Sequence, residues 1–416
     1  MSTAPPHPES AARRASKAHK RRLSLLGKGV SYVVLLVGGF TFMLPLAWMV
    51  STSLKAKGSV FTYPPEWIPR KQVTVPGNAT SVDGPGWSDY FPPGPRRLYW
   101  ATDDRGARLK VAELRVLPDQ RVVEVLEPAA RKDELLWLPV SRNGAPVLEP
   151  IRELDVHWDN YSKAWGALRL QKPWLAVHIP YAVRIPLGGR ALQIGPIHFE
   201  GFPIRSAFTA FYLNSVIVAF LVTVGQVLTS SLAAYAFARL HFPGRDKLFL
   251  GYLGTLMVPY VVTMIPVFIL LRLMHLIDTY AALILPAMFS AYGTFMLRQF
   301  FLTIPTELED AARIDGCGKW GIYTNVILPL SKPALATLTT FVFLSNWNSF
   351  MWPLIVISSP EKKTLPIGLY AFMGQYSTEW TLLMAASLVA LLPVLLVFVL
   401  GQRYFVKGIV MSGLKG

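Results

Sequence analysis

Glu309–Pro333 reads EDAARIDGCGKWGIYTNVILPLSKP and is the most polar run in the C-terminal half of the chain. Uncharged segments long enough to cross a bilayer flank it, so this stretch has to sit in water on one membrane face. Its pattern is that of a folded loop. A helix is predicted from about Pro305 to Asp315, with Thr306 as N-cap and Glu309 three residues on in a capping-box arrangement. Ala311 and Ala312 are small enough to admit a partner closely. Gly316 can take positive φ and turn the chain. Val326-Ile327-Leu328-Pro329 then leads back toward the membrane. Helix, glycine turn and second helix suit docking on another protein; an inter-span loop without a partner is the plainer alternative.

Composition agrees with a membrane chain. Of 416 residues, 52% are hydrophobic and 16% charged, and mean hydropathy is +0.37. That is too apolar for one soluble core. The single cysteine, Cys317, rules out an internal disulfide and any zinc site that needs two thiolates. The net charge of +16 is not a nucleic-acid footprint: between Gly58 and Phe208 there are 19 basic and 16 acidic residues, and the remaining excess lies at the edges of apolar segments. Basic flanks of that kind set orientation.

Six uncharged runs fit spans of roughly 20 residues: Gly29–Leu54, Thr209–Ala238, Leu248–Leu271, Thr279–Leu297, Pro333–Ser359 and Trp380–Gln402. Pro45, Pro259, Pro266, Pro286, Pro353 and Pro393 fall within them and mark expected kinks. Residues 1–28 read as a basic, disordered cytoplasmic tail. The first apolar run is too long for a cleaved signal, so it is a retained span. Arg13–Lys28, Arg239–Lys247, Arg298–Lys332 and Arg403–Lys415 would all fall on one side. This places the cytoplasm there, with both termini inside.

Residues 55–208 are then extracytoplasmic. Alternation in Leu109–Val116 and Arg121–Leu126, with turns at Asp104-Arg105-Gly106, Pro118-Asp119 and Arg142-Asn143-Gly144, predicts about five antiparallel strands over Leu98–Ile151. Val156–Leu168 reads as helix, and a further hairpin is expected around Gly188-Gly189. Trp100, Trp137, Trp158, Trp165 and Trp174 invite comparison with sugar-stacking aromatics, but core packing is the commoner role.

Asp310-Ala311-Ala312, three residues, Gly316, nine residues and Val326-Ile327-Leu328-Pro329 resemble the EAA motif of ABC importer permeases. Asp310 stands where the motif has Glu, and Val326 where it has Ile. Leu232–Gly244, Leu285–Phe301, Ser345–Leu354 and Gln402–Gly416 are similar to segments of the carbohydrate-type group, the maltose-type permease above all. The resemblance is close over Ala207–Gly416 and looser over Gly29–Arg70. It leaves out about 71–152, which looks like a β-rich insertion.

The resemblance implies an all-α integral membrane protein with six helices in the type I ABC importer permease fold. Residues 305–332 would form the coupling loop, with Glu309, Asp310, Ala311, Ala312, Arg313, Asp315, Gly316 and Lys319 serving ATPase contact and turn. The 403–416 tail would be a second contact, and Ser358–Glu379 would meet a binding protein. Expected partners are a second permease in a heterodimer, a cytoplasmic ATPase dimer, an extracytoplasmic sugar-binding protein and the lipid of a prokaryotic inner membrane. The chain is not expected to be an enzyme or to hold a cofactor: neither Gly27-Lys28 nor Gly318-Lys319 is followed by Ser or Thr, so ATP–Mg²⁺ falls to the ATPase.

The spans carry no charge at mid-depth, which speaks against ion coupling. They do carry Asn214, Gln226, Asn346, Trp347, Asn348 and Trp352. Neutral hydrogen-bonding groups beside aromatic rings suit a sugar, and helix–helix packing is the alternative for each of them. A secondary transporter or channel would need an inverted repeat or intramembrane charges, and neither is seen. A membrane-anchored sensor would leave the polar loop unexplained.

Overall fold

The computed structural model describes residues 8–62, 65–77, 91, 94–103, 106–142, 145–175, 177–179, 183–187, 190–194, 197–374 and 378–412. The chain divides into two compact units, Met1–Trp158 and Asp159–Gly416.

The first unit opens with helix α1 (Pro8–Ser53). Its apolar part, Gly27–Ser53, is long enough to cross a membrane, and Val30, Leu36 and Phe42 all stand exposed along it. Residues 8–28, expected as a disordered tail, continue this helix. Once the span has fixed a helix, adding Ala-, Arg- and Lys-rich turns needs only propagation and no new nucleus. At its C-terminal end the Trp48 ring meets Trp67 edge-on at 5.2 Å, and Lys55 Nζ lies 4.2 Å over the Trp48 ring.

A small β module follows. Strands β1 (Arg70–Gln72), β2 (Thr74–Val75), β3 (Arg96–Thr102), β4 (Arg108–Val116), β5 (Gln120–Glu127), β6 (Leu135–Pro139), β7 (Ser141–Arg142), β8 (Ala145–Pro146), β9 (Leu148–Pro150) and β10 (Arg152–Leu154) succeed one another. The main sheet runs β2-β3-β4-β5-β6, with β9 also on β3, while β1 pairs with β10 and β7 with β8. All of these pairings are antiparallel. Alternation puts Leu109, Val111, Val123 and Val125 on one buried face, and register shifts in β4 turn Leu114 toward a second cluster with Val122 and Phe91. The Pro118-Asp119 turn closes with Leu117 N–H donating to Gln120 O at 2.8 Å. Asp104, Arg105, Asn143, Gly144, Gly188 and Gly189, singled out as turn residues, lie outside the described residues. Trp137 and Trp158 are exposed, and Trp100 carries the Arg108 guanidinium at 4.6 Å.

The second unit starts with α2 (Asp159–Gly166) and two antiparallel strand pairs, β11 (Val177–Ile179) with β14 (Ile197–Phe199) and β12 (Val183–Leu187) with β13 (Arg190–Ile194). Its central element is α3 (Ala207–Arg239), capped by Ser206. At 33 residues it is about 50 Å long. Then come α4 (Arg245–Gly254), α5 (Tyr260–Leu273), α6 (Tyr280–Ile284), α7 (Ala291–Leu302), α8 (Glu307–Ile314), α9 (Lys319–Ile322), α10 (Leu328–Leu330), α11 (Lys332–Trp347), α12 (Met351–Val356), α13 (Leu365–Tyr370) and α14 (Trp380–Ser412). A π-helical segment, Tyr323–Ile327, joins α9 to α10. Val222, Ala234, Leu297, Phe301, Ile327 and Leu338 bring α3, α7 and α11 together in one core, and Phe208, Ala219, Trp347 and Ala385 bring in α14 in another.

Three of the runs read as single spans are broken. Among the described residues, four helices are long and apolar enough to cross a membrane, Tyr280–Leu302 with its interruption among them, and six if each of two bent pairs, Arg245–Met257 with Tyr260–Leu273 and Lys319–Leu330 with Lys332–Trp347, counts as one. Leu248–Leu271 bends by 102° between Arg245–Met257 and Tyr260–Leu273, because Pro259 forces Val258 into extended backbone. Within Thr279–Leu297 a 3₁₀ turn at Pro286–Met288 and extended Phe289 separate α6 from α7. Pro333–Ser359 stops at Trp347 and resumes as α12. Asn346 and Asn348 donate back to the Val342 and Leu344 carbonyls, and Pro353 in a continuous helix would strike the carbonyl of Ser349.

Candidate functional site

Helix α8 carries the polar loop read at the outset. The capping box does not form: Thr306 sits in helical backbone and its side chain caps nothing. Glu309 turns inward instead. Its Oε1 lies 2.9 Å from Arg239 Nε, with the two side chains 4% and 7% exposed. The Nε–H is not aimed at that oxygen, so the contact is an ion pair and not a straight hydrogen bond. Arg239 Nη2 also donates to Phe301 O, at 2.6 Å, and to Ile304 O, so one guanidinium closes the C-terminal end of α7 and holds α8. Arg313 Nη2 is 3.8 Å from the second Glu309 oxygen.

The rest of α8 faces outward. Asp310 pairs with Arg313 at 2.8 Å, both about 60% exposed, while Ala312 is buried against the core. Leu308, Ala311, Ile314 and Trp320 are exposed beside them. The helix closes as a Schellman motif: Cys317 N–H donates to Ala312 O and Gly316 N–H to Arg313 O. Asp315 is the C-cap, and Gly316 takes φ +84°. Lys319 is exposed in the first turn of α9. The eight residues singled out therefore share one platform. They divide into an inner anchor, Glu309 and Ala312, and an outer face.

Polar groups on α3 meet the far end of this platform. Tyr235 Oη donates to Lys319 O at 2.9 Å, and Ser231 Oγ lies 2.7 Å from Tyr323 Oη.

A cavity of about 550 Å³ opens within the same unit among α3, α5, α6, α11 and α12. Gln226, Asn346 and Trp352 line it, together with Ser215, Tyr260, Thr263, Ser290, Ser345 and Ser349. No lining side chain is charged at neutral pH. Asn214, Trp347 and Asn348, expected on the path, do not line it. Asn214 is fully buried; it accepts from Trp174 Nε1–H and Tyr280 Oη–H at 2.7 Å each and donates to Glu361 O and Lys363 O. Trp347 donates to Ala390 O and packs on Tyr212 and Phe343. Asn348 is the exposed C-cap of α11. The serines at 345 and 349 carry a signal that polarity alone did not give: with Asn346, Trp352 and Pro353 they recur at helical spacing.

At one end of the unit, Asp278 clasps the segment after α12. Its carboxylate accepts from Ser358 N–H at 3.0 Å, Ser359 N–H at 2.9 Å and the Ser359 hydroxyl, and Lys362 Nζ is 3.5 Å away. Partial burial works to raise its pKa, but the Ser359 bonds, Lys362 and Ser358 outweigh it and hold the carboxyl below the usual value. Among the described residues no cluster of His, Cys, Asp and Glu could hold a metal.

The arrangement has relatives. The profile of the binding-protein-dependent transport system inner membrane component family matches residues 226–411. The arabinooligosaccharides transport system permease protein AraQ of Halalkalibacterium halodurans is 40% identical over 215 residues, covering 52% of this chain and 77% of that protein. The sn-glycerol-3-phosphate transport system permease protein UgpE of Salmonella typhimurium is 39% identical over 223 residues, or 53% and 79%. Among solved structures, a bacterial ABC transporter that imports alginate aligns at TM-score 0.47 and 22% identity, over 63% of this chain and 84% of that one. The chain belongs to the family of inner membrane components of binding-protein-dependent transport systems, the permease subunits of ABC importers.

Proposed function

We propose that this permease subunit carries a neutral sugar, and that α8 with its glycine turn docks on a separate ATPase chain. The observation that carries the substrate reading is the cavity wall. Amides, hydroxyls and the Trp352 ring face it, and no cation does. A sugar offers hydroxyls and an apolar ring face to such a wall. A phosphate ester would call for Arg or Lys, and the N-terminal turn of α7 at the cavity already spends its Gly293 N–H on Ser290 Oγ. The relative named for arabinooligosaccharides is therefore the better guide than the one named for glycerol phosphate. The absence of charge from the lining also speaks against an ion-coupled carrier.

The topology that goes with this reading has six spans: the four long helices, the bent pair Arg245–Met257 with Tyr260–Leu273, and α11 with α12. Both termini and the α8–α9 platform lie in the cytoplasm, and the β module lies outside. The outer face of α8 offers apolar Ile314 and Leu308 beside Asp310, a mixed surface suited to a cleft on the ATPase. That chain would bind ATP–Mg²⁺, and this one no cofactor. A second permease and an extracytoplasmic binding protein complete the assembly.

Uptake into proteoliposomes holding the whole importer tests the substrate. We expect neutral oligosaccharides to be taken up and glycerol phosphate not, with Asn346→Ala and Gln226→Ala raising KM roughly tenfold through loss of one or two hydrogen bonds. Uptake of the phosphate ester alone would overturn the substrate reading.

A further inference from the structure

Ser231, Tyr235 and Arg239 are spaced by four, so they lie on one stripe of α3. Each reaches a different part of the cytoplasmic platform: Ser231 the π segment at Tyr323, Tyr235 the start of α9 at Lys319 O, and Arg239 both Glu309 of α8 and the carbonyls that close α7. The Tyr235 ring also lies 5.1 Å from that of Tyr323. Ser215, Val218 and Gln226, further back on the same helix, line the cavity. From Gln226 to Arg239 is about 20 Å of continuous helix.

We propose that these three side chains form a polar rail that makes the platform and the cavity helix move as one body, with Arg239 the positioning residue for coupling. This rests on the reading that α8 docks on an ATPase. The physical argument is one of stiffness. A platform held by apolar contacts alone can slide along a helix with little loss, because such contacts are non-directional. Hydrogen bonds and a buried ion pair are directional and fix rotation and register. Three of them on one stripe leave the platform no axis about which to turn against α3. A displacement of α8 is then delivered to the cavity wall and not absorbed at the joint.

The test uses the complete importer in proteoliposomes and reads ATP hydrolysed per sugar moved. Arg239→Gln is expected to raise that ratio roughly tenfold while the ATPase chain still co-purifies, and Arg239→Lys to restore part of the coupling through Glu309. Tyr235→Phe and Ser231→Ala each remove one hydroxyl from an otherwise intact fold and should raise the ratio about threefold. Ile314→Glu, on the outer face, should instead lose the ATPase from the complex. A wild-type ratio in Arg239→Gln overturns the rail and leaves the docking reading intact. If Arg239→Gln does not fold, wild-type ratios in both Tyr235→Phe and Ser231→Ala overturn it equally. Retention of the ATPase by Ile314→Glu overturns the docking reading and the rail with it.

Discussion

The Tyr280 phenol donates a 2.7 Å hydrogen bond to Asn214 Oδ1, and that same oxygen takes the Trp174 indole N–H. With both amide protons on Glu361 O and Lys363 O, this asparagine joins α3 to three separate parts of its unit. Every bond it can usefully make is made inside the protein, so it has little left to offer a passing sugar.

Asn214→Leu should therefore act on stability. It strands an indole N–H, a phenol and two carbonyls in a buried site, at a cost of about 3 kcal/mol. Thermal unfolding in detergent should show a lowered Tm. Competition between sugars for uptake should be unchanged, and a change in sugar preference would count against the structural role.

The Asp278 clasp should open in acid. The carboxyl is held below its usual 3.8 in the folded chain, so its contribution is complete above that value and is lost as pH falls through the lower folded value. Hydrogen exchange over residues 358–363, taken relative to the intrinsic amide rate at each pH, should rise on acidification. Asp278→Asn should exchange fast at neutral pH already, with the acid-dependent rise removed.

Gly316 sits at φ +84° with open space where a Cβ would go, so the penalty for substitution is one of backbone conformation. Gly316→Ala should cost about 1–2 kcal/mol in the stability of the turn. Gly316→Asn should cost less, because Asn visits that region more readily, and Gly316→Val more. Proteolysis between residues 313 and 320 should rank them in that order.

Gly368 is a glycine for the opposite reason. A Cβ there would come within 2.3 Å of Phe211 Cδ2, and that ring, carried by α3 and itself buried, yields little. Gly368→Ala should destabilise by about 1–3 kcal/mol. The second change Phe211→Leu should recover part of that, a non-additivity that thermal melts of the four variants would measure.

The polar loop was legible because its signals are local: a small-residue pair, a glycine at the right offset and a return to apolar residues. Glu309 shows the limit of local reading. Three residues after Thr306, it fits a capping box, yet its partner is Arg239, at the far end of another helix. The breaks after Val258 and Trp347 were only half legible, since a proline marks a place but its neighbours set the angle. Within the spans, Asn214 and Asn346 are the same residue type in the same polarity pattern. One is a cross-link and the other lines the cavity, and only tertiary placement separates them.

The π segment at Tyr323–Ile327 has one more residue than an α-helix would need to cover the same rise. Tyr323 and Ile327 at its two ends are buried, while Asn325 between them is exposed. Deleting Asn325 would spare every buried side chain and let the segment close to plain α-helix, so the helices on either side would keep their phase. Tyr323 could then still reach Ser231 while Ile327 stayed in the core. Residue count is thus under a looser constraint here than residue identity. A relative one residue shorter in this stretch could keep the same partner on the helix that meets it.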